Sequence, residues 1–254
     1  MLLLGENAVT FEVFFDLYVI FTVKLYAMES KNIIVTGTSR GIGYELALQF
    51  ANAGHHVLAL SRKTPQELLQ HPNISCLSVN LSQPKSLESV EHFLSASAKT
   101  VDAIVHNAGS LLLKPFADTS IDDFENIYRV NVFGVAALTK IALPYLKKGS
   151  HVVTISSMGG IQGSMKFAGL SAYSSSKGAV ITLTELLAEE YREQGIAFNV
   201  LALGSVQTEM LEEAFPGFAA PVSASEMAQY IFNFTLTGHQ FHNGKIIQVS
   251  STTP

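Results

Sequence analysis

Residues 36–43 read Thr36-Gly37-Thr38-Ser39-Arg40-Gly41-Ile42-Gly43, and their flanks decide the fold. Before them, Lys31-Asn32-Ile33-Ile34-Val35 is a short apolar run rich in β-branched residues, the pattern of a strand. After them, Tyr44 to Ala53 has helical spacing, with Leu46, Ala47, Phe50 and Ala51 on one face. A strand, a glycine-rich turn and a helix in that order form an anion cradle. Glycine lets the backbone turn sharply and come close to a phosphate, and the helix N-terminus presents free N–H groups and a positive dipole end. The spacing here is G-x-x-x-G-x-G rather than G-x-G-x-x-G. Taken alone, the turn is also readable as a tight connection that binds nothing. The rest of the chain separates the two.

A chain of 254 residues with 48% apolar content can bury a large core, and global disorder is excluded. A net charge of −5 offers no broad electrostatic footprint for nucleic acid or an anionic membrane. Cys76 is the single cysteine, which excludes an internal disulfide and suits a reducing cytoplasm. It sits in an apolar run and reads as an inert core thiol. The eight histidines follow no metal-ligand pattern, so no metal site is expected. His55, His56, His239 and His242 read as loop or strand-edge residues.

Residues 1–27 do not share the pattern of the remaining chain. Val13 to Ala27 is apolar and aromatic, but Asp16 and Lys24 interrupt it. Its longest uncharged stretch, Leu17 to Val23, is far short of the ~20 residues a membrane span requires. It also lacks the basic start and small-residue cleavage site of a signal peptide. The expectation is a dispensable extension, arising from an upstream translation start; an apolar arm against another subunit is the alternative.

From Lys31 onward, strand-like and helix-like segments alternate. Strands are expected at 32–36, 56–61, 74–79, 101–106, 150–156, 196–202 and 245–250. Helices are expected at 42–53, 65–71, 84–97, 121–146, 171–194 and 223–235. Such alternation predicts an α/β fold, a doubly wound, Rossmann-type parallel sheet of about seven strands with helices on both faces. Strands such as Ala103-Ile104-Val105 are apolar throughout, as expected when both faces are buried. With no repeat or linker in view, residues 28–254 read as one domain.

The end of the second strand bears on the ligand. A dinucleotide site for NAD carries an acidic residue there for the ribose 2′-OH, whereas NADP sites use arginine. Here the strand ends in Ser61-Arg62-Lys63, with no acidic residue until Glu67, and Arg40 in the glycine turn can approach the same place. Guanidinium groups suit a 2′-phosphate. NADP is therefore the expected cofactor, with solvated loop charges as the bland alternative.

Further along come Asn107-Ala108-Gly109, Asn131, Ser156-Ser157, and Tyr173 followed four residues later by Lys177. With Gly37, Gly41 and Gly43, this ordered set resembles the short, single-domain branch of the short-chain dehydrogenase/reductase family. The resemblance covers nearly all of residues 30–250. Tyr173 and Lys177 share one helix face, and a nearby ammonium favours the phenolate, lowering a pKa of about 10 towards neutrality. Such a tyrosine can exchange a proton with a carbonyl or alcohol oxygen.

The resemblance implies the other roles. Ser157 would hydrogen-bond the substrate oxygen, Lys177 would also hold the nicotinamide ribose, and Asn131 would anchor a water in a proton relay. The cofactor would lie along Gly37, Ser39, Arg40, Gly41, Ile42 and Gly43, then Ser61, Arg62, Asn80 and Leu81. It would continue past Asn107, Ala108 and Gly109 to Gly204, Val206 and Thr208. Three residues depart from the family pattern: His106 replaces an asparagine, Asn80 an acidic residue that reaches adenine, and Leu203 a proline.

The expected activity is NADPH-dependent reduction of a ketone or aldehyde to an alcohol. An NAD-dependent alcohol dehydrogenase and a non-catalytic NADP-binding protein are the alternatives. Met210, Leu211, Phe215 and Phe218 in the segment 206–221 suit an apolar substrate. Apolar residues on more than one face of 121–146 and 171–194, including Val135, Leu138, Ile181 and Leu187, predict a homodimer or homotetramer.

Overall fold

The computed structural model describes residues 29–97 and 99–250, so the expectation for residues 1–27 lies outside the described residues. Seven strands form one parallel sheet: β1 (Asn32–Thr36), β2 (His56–Ser61), β3 (Ile74–Ser78), β4 (Val101–His106), β5 (Leu146–Ser157), β6 (Ala197–Leu203) and β7 (Ile246–Val249). Their spatial order is β3-β2-β1-β4-β5-β6-β7. The order reverses between β1 and β4, the place where doubly wound sheets open a ligand crevice.

Alternation along β1 shows why the strands are apolar throughout. Ile33 and Val35 enter one core with Leu46 and Phe50 of α1 (Gly41–Asn52) and Ile231 of α8 (Ala224–Thr237). Ile34, between them, enters the other core with Leu94 of α3 (Glu88–Ser97), Leu138 of α5 (Gly134–Ala142) and Phe198. Neither face of a central strand meets water. The short α2 (Gln66–Gln70) links β2 to β3, and α6 (Ser171–Glu190) precedes β6.

Capping decides where two helices begin. Ser120 starts α4 (Ile121–Tyr128) with a capping box in which its hydroxyl accepts from Asp123 N–H and the Asp123 carboxylate accepts from Ser120 N–H. Ser223 and Glu226 do the same for α8.

The expected single helix over 121–146 is interrupted. A π-turn at Arg129–Phe133 separates α4 from α5, a 3-10 turn at Leu143–Tyr145 comes next, and β5 begins four residues earlier than expected, at Leu146. Apolar periodicity cannot distinguish one extra residue per turn from a continuous helix. A short helix, α7 (Glu209–Ala214), was not expected; Thr208 starts it by accepting from Leu211 N–H (3.3 Å).

Two buried histidines tie the sheet to its helices. His106 Nε2 lies 2.8 Å from Thr139 Oγ1, so the residue standing in for asparagine fastens β4 to α5. His151 Nδ1 lies 3.0 Å from the Thr235 carbonyl and Nε2 lies 2.9 Å from Asn199 Nδ2, which fixes the neutral tautomer protonated at Nδ1. Burial lowers the pKa of His106 to about 3 and that of His151 to about 4.

The unfolded chain takes up these protons near an ordinary histidine value of about 6.5, the folded chain only far below it. Between those values the unfolded state binds more protons, so stability is full above about pH 6.5 and falls with pH towards 4. The urea midpoint is expected to drop steeply between pH 7 and 5, and less steeply in His106→Asn. Equal slopes would remove His106 as a cause.

Candidate active site

The turn after β1 is locked from two sides. Gly37 N–H donates to the Leu60 carbonyl of β2 (2.8 Å), and Asn107 Nδ2, just past β4, donates to the Thr36 carbonyl (3.0 Å). Thr36 Oγ1 accepts from the N–H groups of Asn107 (3.0 Å) and Ala108 (2.9 Å). Gly37 and Gly41 have φ of +74° and +57°, the region that favours glycine. Gly43 is required for a different reason. A Cβ there would lie 2.3 Å from the Gly37 carbonyl oxygen and 2.4 Å from Asn107 Nδ2, so α1 can begin this close to the turn only without a side chain. Arg40 at the N-cap makes no side-chain cap, which leaves the first N–H groups of α1 available to an anion.

The second wall is the end of β5 against α6. Ser157 Oγ accepts from Gly159 N–H (3.2 Å), and Ser157 is near enough to the Tyr173 hydroxyl to favour its ionised form. Lys177 Nζ donates to the Ile155 carbonyl (2.8 Å), and Ser156 Oγ donates to the Lys177 carbonyl (2.9 Å). Three consecutive residues of β5 therefore hold both ends of the Tyr173–Lys177 face. A Cβ at Gly160 would stand 2.7 Å from the Lys177 carbonyl carbon, so the loop after β5 presses on α6 through bare backbone.

The expected lowering of the Tyr173 pKa by Lys177 is corrected. Burial pushes the phenol above its ordinary value, and the nearby Ser157 only partly opposes this. Lys177 Nζ is 5.8 Å from the ring centroid and is turned towards Ile155. Burial also draws Lys177 down to about 8. The site thus holds its tyrosine as the neutral phenol.

Asn131 is buried in the middle of the π-turn, a device found often at functional sites. Its Oδ1 accepts from Ser110 N–H (2.7 Å), and its Nδ2 donates to the Ser110 carbonyl (2.9 Å) and Ser176 Oγ (2.9 Å). It braces the segment after Gly109 against α6. Both amide hydrogens of Asn131 are spent on that brace.

One cavity of about 560 Å³ joins the two walls. It is lined by all the predicted site residues except Gly43 and Asn131, which act from behind its wall. At its far end, Ser61 Oγ donates to the Lys63 carbonyl (2.7 Å), fixing the turn that carries the exposed Arg62. Asn80 Oδ1 accepts from Ser82 N–H (3.1 Å) and Ser82 Oγ (2.9 Å). The acceptor expected to face adenine is therefore tied up in its own loop.

Arg40 also differs from expectation: its guanidinium is paired through two hydrogen bonds with Glu213, the penultimate residue of α7, the second at 2.9 Å. Thr208 Oγ1 is used in capping α7. Leu203 lies within β6, in register with Ser157 and Val249, and Gly204 N–H donates to the Val249 carbonyl (2.9 Å). The loop without the proline is thus anchored by one further residue of strand. Met210, Leu211, Phe215 and Phe218 add an apolar lining to the same cavity, as do Leu170 and Phe167.

Sequence reasoning missed Ser156, Ser176 and Gly160. Their signals were in view: two glycines shortly after Ser157, and a serine inside the Tyr173–Lys177 spacing. Among the described residues no histidine, cysteine and carboxylate cluster suits a metal, and no helix is long and apolar enough to cross a membrane.

Known proteins agree with this architecture. The short chain dehydrogenase family model matches residues 31–217. A 3-oxoacyl-(acyl-carrier-protein) reductase from Escherichia coli is 31% identical over 217 residues, 81% of this chain and 88% of that protein. An NADPH-dependent pterin aldehyde reductase from Arabidopsis thaliana is 30% identical over 206 residues, 78% of this chain and 84% of that protein. A solved short-chain dehydrogenase/reductase, described as a glucose/ribitol dehydrogenase, from Brucella melitensis superposes with a TM-score of 0.80 at 25% identity. That superposition covers 90% of this chain and 98% of the other. Both the doubly wound sheet and the match over most of its length lead to one assignment: the chain is an oxidoreductase-type member of the short-chain dehydrogenase/reductase family.

Proposed function

We propose that this protein reduces a ketone or aldehyde to an alcohol with NADPH. The observation that carries the reading is the single cavity that brings Ser157, Tyr173 and, one helical turn along, Lys177 into the same space as the glycine turn. A nicotinamide cofactor, when bound, supplies the hydride.

The chain's own residues do the rest. The turn at Gly37–Gly43 and the N-terminus of α1 hold the pyrophosphate, and Lys177 holds the nicotinamide ribose. Ser157 orients the carbonyl oxygen by hydrogen bonding, and Tyr173 donates its proton to that oxygen as the alcohol forms. Burial raises the pKa of the phenol above its ordinary value, so Tyr173 carries the proton that it gives. The apolar lining at Met210, Phe215 and Phe218 suits an uncharged substrate. The A. thaliana relative, an NADPH-dependent aldehyde reductase by name, supports the same direction.

Arg62 and Arg40 are assigned to the 2′-phosphate. Arg62→Asp is expected to weaken NADPH roughly tenfold to a hundredfold more than NADH, the value of charge-assisted hydrogen bonds. Calorimetric titration of both nucleotides checks this, and equal losses would remove Arg62 from the site.

We further assign residues 28–254 to one catalytic domain and the protein to the cytoplasm as a homodimer or homotetramer. Val135, Leu138 and Ile181, expected from their helical spacing to serve assembly, are buried in the subunit's own core. Phe133 on the π-turn and Leu186 on α6, 58% and 63% exposed, support assembly instead.

A further inference from the structure

The one arginine of the glycine turn is shared between two claimants. Arg40 stands at the N-cap of α1 and lines the cavity with Ser61 and Arg62 of the neighbouring strand end. The turn and that strand end are fastened together by Gly37 N–H to the Leu60 carbonyl (2.8 Å). Yet its guanidinium is engaged in a two-pronged pair with Glu213 of α7, the helix whose start at Thr208 and whose Met210 and Leu211 border the same cavity. Glu209 comes to the turn as well, its Oε2 3.4 Å from where a Cβ on Gly41 would be. Both carboxylates raise the pKa of Arg40.

Glu213 holds the Nη1–Nη2 edge of the Arg40 guanidinium, one of its two-donor edges. A 2′-phosphate approaching on that edge has to displace the carboxylate, and on any other edge it meets a guanidinium whose charge is already partly neutralised. We propose that Glu213 is a specificity-determining residue for the cofactor: it competes with the 2′-phosphate for Arg40, and so couples the hold of α7 on the glycine turn to which nucleotide is bound. The proposal rests on the NADPH reading of the site. Reciprocity gives it two consequences. NADPH draws Arg40 away from Glu213 and loosens α7, whereas NADH leaves the pair intact. Removing the carboxylate strengthens NADPH and leaves NADH alone.

The pair is exposed, with side chains 45% and 62% accessible, so the effect is small. Exposed ion pairs correspond to an affinity change of about twofold to fivefold. Calorimetric titration of NADPH and NADH into wild type, Glu213→Gln, Arg40→Gln and the double variant tests it. Glu213→Gln is expected to raise the NADPH to NADH affinity ratio by that factor, and to have no effect once Arg40 is already glutamine.

Hydrogen exchange of residues 209–214 gives a second reading. Wild type should exchange faster there with NADPH than with NADH, and Glu213→Gln should show no difference between the two. An unchanged ratio in Glu213→Gln, with wild type still preferring NADPH, would overturn the proposal alone. Wild type that does not prefer NADPH would overturn the cofactor reading and the proposal with it.

Discussion

Tyr173→Phe is expected to lower kcat/KM for carbonyl reduction by roughly 10²- to 10⁴-fold, the usual contribution of a positioned general acid. NADPH affinity should be unchanged, because the ring stays and only the hydroxyl is lost. Geometry sets this before electrostatics does. Ser157, at the last position of β5, lines the cavity with that hydroxyl, and Ile155 and Ser156 fasten Lys177 one turn along α6. The hydroxyl is therefore held at a fixed place in the cavity. Burial keeps it protonated. Steady-state kinetics and nucleotide titration on both proteins check the prediction. A variant that keeps more than a tenth of wild-type kcat/KM would remove Tyr173 as the proton donor.

Gly43→Ala is expected to destabilise the fold by about 1–3 kcal/mol or more, as overpacking does, and to abolish tight nucleotide binding. The added Cβ would meet the Gly37 carbonyl oxygen at 2.3 Å and Asn107 Nδ2 at 2.4 Å. Neither neighbour is a free side-chain end. The first is turn backbone, and the second already bonds the Thr36 carbonyl (3.0 Å). Relief requires α1 to back away from β1 or Asn107 to release the turn. Either movement opens the cradle. A urea midpoint and NADPH affinity like those of wild type would show that Gly43 is not what lets α1 pack against the turn.

What the sequence made legible came from side-chain pattern. Both-face burial wrote β1, β2 and β4 as apolar runs, and their bounds at 32–36, 56–61 and 101–106 agree with the structure. Glycine at 37, 41 and 43 marked the turn, two of them for a backbone that favours glycine and the third for want of room. The Tyr173 and Lys177 spacing marked a shared face.

What was hidden depends on where side chains are spent. Asn131 bonds Ser110 and Ser176, 21 and 45 residues away, pairings that spacing does not encode; Asn80 bonds Ser82 within its own turn. Tyr173 was read from its charged neighbour alone, while burial, a property of the folded surroundings, sets the direction of its shift. The carboxylate partner of Arg40 lies 173 residues away, beyond anything local spacing encodes. The π-turn left no periodic trace, because the buried positions Ile127, Asn131, Val135, Leu138 and Ala142 keep helical spacing straight through it.

The central claim is hydride transfer from NADPH to a carbonyl at this site. The most direct measurement is incubation with NADPH carrying deuterium at the transferable position, across a panel of ketones, aldehydes and diketones, with products read by mass spectrometry. The account predicts an alcohol bearing deuterium on the carbinol carbon, formed faster than with labelled NADH. An alcohol without the label, or no alcohol from any member of the panel despite tight NADPH binding, would contradict it.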